Sequence, residues 1–429
     1  MRVLFVHRSG SGQFAHLIGR LLGEGAEVTL VTEHAEAARP GVRQIRYALG
    51  GPATASPSLA ATDYHVRTGE AVAQVLRRLH RDERPDVIIG HTGWGGLLFV
   101  KDVLPETQVL GYCEYYYSGQ ASDLDFGSKD PGSKNFRPKD LESTNGISDA
   151  ERIRLRMRNA AQLLTLQAVD AAYTPTRWQH RQYPQSVRDR IAICHDGIDT
   201  RLFRPDAAAV FTLPDGQALR RGDEVVTFVA RDLDLYRGYP QFMQAAARVA
   251  QARPQARFVV VGGDGPGYGR PRPDGRLWRE VMTQEIGLGE RLVHIPWLAH
   301  ADLRRLFQIS AAHVYLTVPF VLSWSLLEAM ACGCLIVGSR TQPVQEVIVD
   351  RRNGLLAPLH DAGELAATIV EALERQGEAE GLRRAARATV EAQFELETCL
   401  DRQSGIIAGL AAQSAAAAEA AWAGAGWRR

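Results

Sequence analysis

Residues Tyr315–Ile336 read YLTVPFVLSWSLLEAMACGCLI, a run of apolar and small residues that holds one carboxylate, Glu328. The pattern predicts a buried strand ending near Pro319–Phe320, a tight turn, and a helix from about Ser323 to Cys332. Ser323 or Ser325 suits the N-cap, and Gly333 suits the position just past the last turn. Leu335–Gly338 starts another short apolar strand. A helix that opens at the end of a buried strand points its free N–H groups and its dipole at whatever anion arrives there. Glu328 falls one to two turns into that helix. It either accepts hydrogen bonds from the rest of such a ligand or is a helix acid paired with an arginine.

The same strand–helix rhythm extends in both directions. From the start come the strand VLFV, the Gly-rich turn HRSGSGQF, the helix AHLIGRLLGEG and the strand EVTLVT. The helix RTGEAVAQVLRRLHRDERP then precedes the strands DVIIG and TQVLGYCEY. Strands separated by helices of about ten or more residues make a parallel, doubly wound sheet. Residues 117–148, rich in Gly, Ser, Asp and Lys, interrupt the rhythm as a long surface loop. The Pro-bounded segment DTRLFRPD reads as a linker, after which the pattern restarts with EVVTFVAR and ARFVVVGGDGPG. The chain is therefore read as α/β, with two Rossmann-like domains in tandem, 1–203 and 204–394. A final helix over about 395–412, continuous with residues from Arg383, returns to the first domain, and 413–429 is an Ala-rich, frayed tail.

Composition excludes several classes. With 429 residues there is room for two or three cores. The 50 basic and 49 acidic residues give no bulk attraction to nucleic acid. Five cysteines sit mostly in apolar runs, and Cys332–Gly–Cys334 lacks the spacing of a metal or redox pair. No apolar window is long enough to span a bilayer and the first residues do not form a signal peptide, so a cytoplasmic location is expected. Arg152, Arg154, Arg156 and Arg158 alternate along a helix. They are a solvated face, or a contact with a charged acceptor or with anionic lipid at the inner face of a membrane.

The run from Pro319 through LLEAMACGC, followed by TQPVQEVI and NGLLAP, resembles the donor-site signature of retaining nucleotide-sugar glycosyltransferases of family 4, which have the GT-B fold. HDGIDTRLFRP and ARDLDLYRGYPQFMQA are similar to that family's interdomain segment and first loop of its second domain. The resemblance implies two Rossmann-like domains facing across a cleft. It implies a UDP- or GDP-sugar as donor, a glycan or glycolipid acceptor, and no metal. It gives Glu328 a role as acceptor of the ribose hydroxyls, two vicinal donors meeting two carboxylate oxygens. Family members carry a second glutamate eight residues earlier, at the donor sugar; here that position is Phe320, so backbone groups of Phe320, Val321, Leu322 and Ser323 are left to reach sugar and diphosphate. Arg231 and Arg237 stand where the family has Arg and Lys, and are expected to stabilise the leaving diphosphate. All four lysines of the chain lie at or before Lys139. Gly263, in VVVGGDGPGYG, is either part of the nucleotide pocket or a plain turn.

In the first half, Gly10, Gly12 and Gln13 are candidates for the acceptor side, though a tight strand-to-helix turn also wants glycines. His91 ends a strand, where ligands of doubly wound sheets bind, and is equally readable as a capped surface histidine. Glu114 falls where many family members carry a cleft histidine. It is a catalytic candidate that orients the acceptor or stabilises positive charge at the anomeric carbon; the alternative is a hydrogen-bonded core acid. Asp123–Leu–Asp125 lies in a polar loop rather than at a strand end and is not read as a metal site. Two other functions stay open: a non-catalytic nucleotide or glycan binder, and a sugar-nucleotide epimerase on the same fold.

Overall fold

The computed structural model describes residues 1–79, 83–118, 148–265, 267–268, 272, 274–375 and 379–424, with side chains as far as Gln413. Asp123, Asp125 and nearly all of the 117–148 loop lie outside the described residues. The chain divides into two units. The first holds residues 1–118, 148–197 and 396 onward, and the second holds 198–395.

In the first unit the strands are β1 (Arg2–Ser9), β2 (Glu27–His34), β3 (Val42–Arg46), β4 (Val87–His91), β5 (Gln108–Tyr112), β6 (Ala171–Thr174) and β7 (Ile191–Ile193). They form one sheet in the order β3-β2-β1-β4-β5-β6-β7, and each neighbouring pair is parallel. β1 shows why its sequence is apolar throughout. Val3 and Phe5 face Leu17, Ile18 and, from the last helix, Ile407 and Leu410. Leu4 and Val6 face Val72, Leu76 and Leu166 on the other side. Both faces are covered by helices, so alternation of polar and apolar residues is lost.

The second unit begins with a hairpin, β8 (Val210–Thr212) and β9 (Ala218–Arg220), that was not anticipated from the sequence. Its sheet comprises β10 (Val225–Asp232), β11 (Arg257–Gly263), β12 (Leu292–Ile295), β13 (Ala312–Tyr315), β14 (Ile336–Ser339) and β15 (Leu355–Ala357). The order is β12-β11-β10-β13-β14-β15, again parallel throughout. In each sheet the strand order reverses beside the first strand, between β1 and β4 and between β10 and β13. Such switch points leave a crevice at the carboxyl ends of the strands.

Three expectations need correction. β13 stops at Tyr315, not at Pro319–Phe320, because side chains rather than a ladder hold the segment that follows. The expected 383–410 helix is two helices, Glu380–Gln393 and Leu396–Gly424, broken where Ile198 N donates to the Phe394 carbonyl. The second of these runs on through most of the tail expected to fray. All five cysteines are buried free thiols. Among the described residues, no helix is long and apolar enough to cross a membrane.

Candidate functional site

At the switch point of the first sheet, three of the sequence candidates meet. His91 ends β4, and its Nδ1 accepts from Gly93 N at 3.0 Å. The proton is thereby placed on Nε2, which donates to Glu114 Oε2 at 3.1 Å. Gln13 Nε2 donates to the other oxygen, Oε1, at 3.0 Å. The Glu114 carboxylate, about 27% exposed, is thus held by two donors. Burial pushes its pKa up, but the bonds from His91 and Gln13 outweigh this and hold it below the usual carboxylate value.

Two residues that sequence reasoning passed over complete this group. Trp94 stacks on the His91 ring at 4.0 Å and 7°. His7 lies tilted against the same indole at 4.7 Å, with Nδ1 3.0 Å from the Gly10 carbonyl. Burial, with His91 nearby, lowers the His7 pKa to about 4, so the ring is neutral at pH 7. Gly12 packs on that ring. Its backbone has φ +48°, and a Cβ there would sit 2.1 Å from His7 Cε1, which only glycine avoids.

In the second unit the stretch 315–333 folds as its local chemistry dictates. Ser323 caps the helix Trp324–Ala331 by accepting from Ser325 N. The helix ends with Gly333 N donating to Met330 O and Cys334 N to Ala329 O, the paired closure expected of a glycine at φ +76°. The loop before it is held by Tyr315, whose hydroxyl accepts from Ser323 N at 2.8 Å and from Arg237 Nη1 at 3.0 Å. Arg237 Nη1 also donates to Thr317 Oγ1 and to the Val321 carbonyl. Val321 therefore offers its carbonyl inward to the arginine. Leu322 packs in the apolar cluster with Leu326 and Leu327.

The two arginines differ in setting. Arg231 is 82% exposed at the end of β10, its Nε 3.8 Å from Asp232. Arg237 is buried. Its Nη1 is fully engaged, whereas its Nε and Nη2 bond none of the described residues. Phe320 is buried in an aromatic trio, edge-on to Tyr236 at 5.5 Å and tilted against Tyr268 at 4.8 Å. Gly263 ends β11 and its carbonyl accepts from Leu233 N. A hollow of about 460 Å³ lies beside the helix N-terminus, lined by Arg231, Val261, Trp297, His300, Ser323 and Ser325.

Glu328 is only 8% exposed, in a helix whose Leu326, Leu327, Ala329 and Met330 belong to a buried apolar cluster. Its carboxylate has no hydrogen-bond or ion-pair partner among the described residues, so the arginine pairing left open above is not made among them. Burial alone raises its pKa from 4.5 to about 7. An acid held in an apolar helix with no donor among the described residues is costly, and it is a candidate to receive donors from a ligand.

Comparison with known proteins bears on the family and the fold. A family model described as "Glycosyl transferase family 4 group" matches residues 24–203, and one described as "Glycosyl transferases group 1" matches residues 212–389. The chain is 32% identical over 195 residues to the D-inositol 3-phosphate glycosyltransferase of Mycolicibacterium smegmatis, covering 44% of this chain and 41% of that one. It is 30% identical over 215 residues to the protein of the same name from Mycobacterium ulcerans, covering 49% and 44%. The chain thus matches less than half the length of these relatives. Among solved structures, sucrose-phosphate synthase from Thermosynechococcus elongatus superposes with a TM-score of 0.71 at 19% identity, over 96% of this chain and all of that one. HepE from Anabaena, in complex with UDP and glucose, gives 0.65 at 15% identity over 95% and 100%. These likenesses show the GT-B fold.

Proposed function

The chain belongs to the family 4 glycosyltransferases, and on that premise we propose that it transfers a sugar, with retention, from a UDP- or GDP-sugar to a hydroxyl of a glycan or glycolipid. The observation that carries the reading is Glu328, a buried carboxylate in the second unit with no partner among the described residues. Ribose hydroxyls would supply the donors it lacks, and a nucleoside diphosphate brings both those hydroxyls and an anion of the kind that a helix N-terminus and arginines favour. The base is assigned to the hollow beside Trp297. The likeness to HepE, whose structure is a complex with UDP and glucose, supports UDP as the first nucleotide to test.

Retention follows if the acceptor oxygen attacks the anomeric carbon from the face that the diphosphate leaves. The bond from that carbon to the phosphate oxygen breaks, and the hydroxyl proton passes to the departing phosphate. Charge then accumulates on the diphosphate, and the Nε and Nη2 donors of Arg237, the Arg231 side chain and the first turn of the 324–331 helix are assigned to it. No step in this scheme requires a metal ion. Acceptor binding is assigned to Gln13, His91, Glu114 and the Gly12 turn of the first unit. There an ionised carboxylate with lone pairs to spare accepts a bond from the incoming hydroxyl.

Thermal melts with UDP and with GDP, without metal, test the donor assignment. One nucleotide at about 100 times its Kd adds about 2.7 kcal/mol, and Glu328→Ala abolishes the gain. Equal melting with and without both nucleotides would refute the assignment.

A further inference from the structure

Resting on the donor-site reading above, we infer that the sugar of the donor is read by an aromatic wall of Tyr236, Tyr268 and Phe320, and that it is a methyl-bearing sugar, either a 6-deoxyhexose or an N-acetylhexosamine. The wall belongs to the phosphate site by position. The Arg237 guanidinium, whose Nε and Nη2 bond none of the described residues, lies 5.8 Å from the Tyr268 ring and 5.9 Å from the Phe320 ring. Whatever group is bonded to a phosphate held by those nitrogens meets these rings next.

The wall is constructed, not incidental. Tyr268 comes from the loop after β11 and Tyr236 from the loop after β10. Asp234 joins the two: its Oδ2 accepts from Tyr268 N at 2.8 Å and its Oδ1 from Arg237 N at 3.0 Å. One buried carboxylate therefore sets both the aromatic ring and the arginine. Gly267 lets the loop close on it, with φ +56° and the position of a Cβ only 2.1 Å from Asp234 Oδ2. The three rings touch pairwise, the tyrosines at 6.5 Å, and Tyr268 leaves 48% of its surface exposed.

Such a surface discriminates in a definite direction. A fully hydroxylated hexose turned toward these rings gives up water from hydroxyls whose new neighbours are carbon faces. A methyl group in the same place gains apolar burial, and one carbon in an apolar pocket is worth about tenfold or more. The 6-methyl of a deoxyhexose and the acetamido methyl of an N-acetylhexosamine both satisfy this.

The test is equilibrium binding to the full chain. UDP and GDP alone identify the base. The sugars are then compared on that base: UDP-glucose, UDP-6-deoxyglucose and UDP-N-acetylglucosamine, or GDP-mannose and GDP-6-deoxymannose. The expected result is that a methyl-bearing donor binds about tenfold tighter than the fully hydroxylated one, and that Tyr268→Ala removes the preference while leaving the nucleotide alone unchanged. Phe320→Leu, a core-compatible change, should weaken the same preference. Nucleotide binding with hydroxylated donors equal or better overturns the wall and leaves the donor site standing. A preference that survives Tyr268→Ala also overturns it. No nucleotide binding overturns both.

Discussion

Replacing Glu328 by Gln keeps the shape of the side chain and removes its titration, which makes the buried carboxylate measurable. Burial raises its pKa from 4.5 to about 7, and at about 1.36 kcal/mol per unit the shift corresponds to about 3 kcal/mol. The sign follows from proton binding. Between pH 4.5 and 7 the folded chain holds this proton and the unfolded chain does not, so the contribution is complete below 4.5 and is lost as pH rises through 7. The ligand-free wild type should therefore lose about 3 kcal/mol relative to Glu328→Gln between pH 4.5 and pH 8. Urea unfolding of both proteins across that range reads the difference, in which the titrations of all other groups cancel. Nucleotide reverses the dependence. Ribose hydroxyls donate to the ionised form, so the stabilisation by UDP or GDP should grow from pH 6 to pH 8 in the wild type more than in the variant. Parallel pH curves for the two proteins, with and without nucleotide, would show that Glu328 is neither strained by burial nor engaged by ligand.

Arg231→Ala removes an 82% exposed side chain, so stability should stay within about 0.5 kcal/mol while the transfer rate falls about 100-fold or more; an unchanged rate in a steady-state assay rejects its role at the diphosphate. Gly12→Ala forces a Cβ into the His7 ring at a positive φ, and urea melts should show a loss of about 1–3 kcal/mol. Arg387 donates to the carbonyls of Thr200, Phe203 and Ala331. Truncation to Ala uncaps the end of the 324–331 helix and should cost about 2–3 kcal/mol in the same assay.

The scaffold was legible in the sequence because its signals are local. The continuous apolar run of β1, the Ser323 cap and the Gly333 stop each follow from a few neighbouring residues. The strand end of His91 and the Gly-rich turn of Gln13 were legible too, Glu114 came from the family resemblance, and the three are found bonded together. His7 was not, because it continues the apolar run of β1 and nothing adjacent says that its ring meets Trp94. Tyr236 and Tyr268 were invisible for a related reason. They lie 32 positions apart in loops without periodicity, and it is Asp234, bonding to the backbone of one loop from the other, that brings them to Phe320. The β8–β9 hairpin was missed because three-residue strands carry too little pattern to see.

Phe320 and Arg237 both stand where the family resemblance implies other residues, Glu and Lys, and their geometry ties the two positions together. A lysine offers a single ammonium. It could not bond Tyr315, Thr317 and Val321 as Arg237 Nη1 does and still present donors to a phosphate. Arginine divides the work between its nitrogens, provided no carboxylate competes for them. A glutamate at position 320 would compete. At the 5.9 Å separation now seen between guanidinium and ring, with an effective dielectric near 20, opposite unit charges attract by about 3 kcal/mol. Phe320→Glu should thus weaken UDP or GDP binding rather than restore a family-like sugar site, because the new carboxylate draws Arg237 from the phosphates. In the Arg237→Lys background, where the forked donors are already gone, the same change should weaken binding much less. A double-mutant cycle on nucleotide Kd measures the coupling, and additive effects would show that the two positions changed independently.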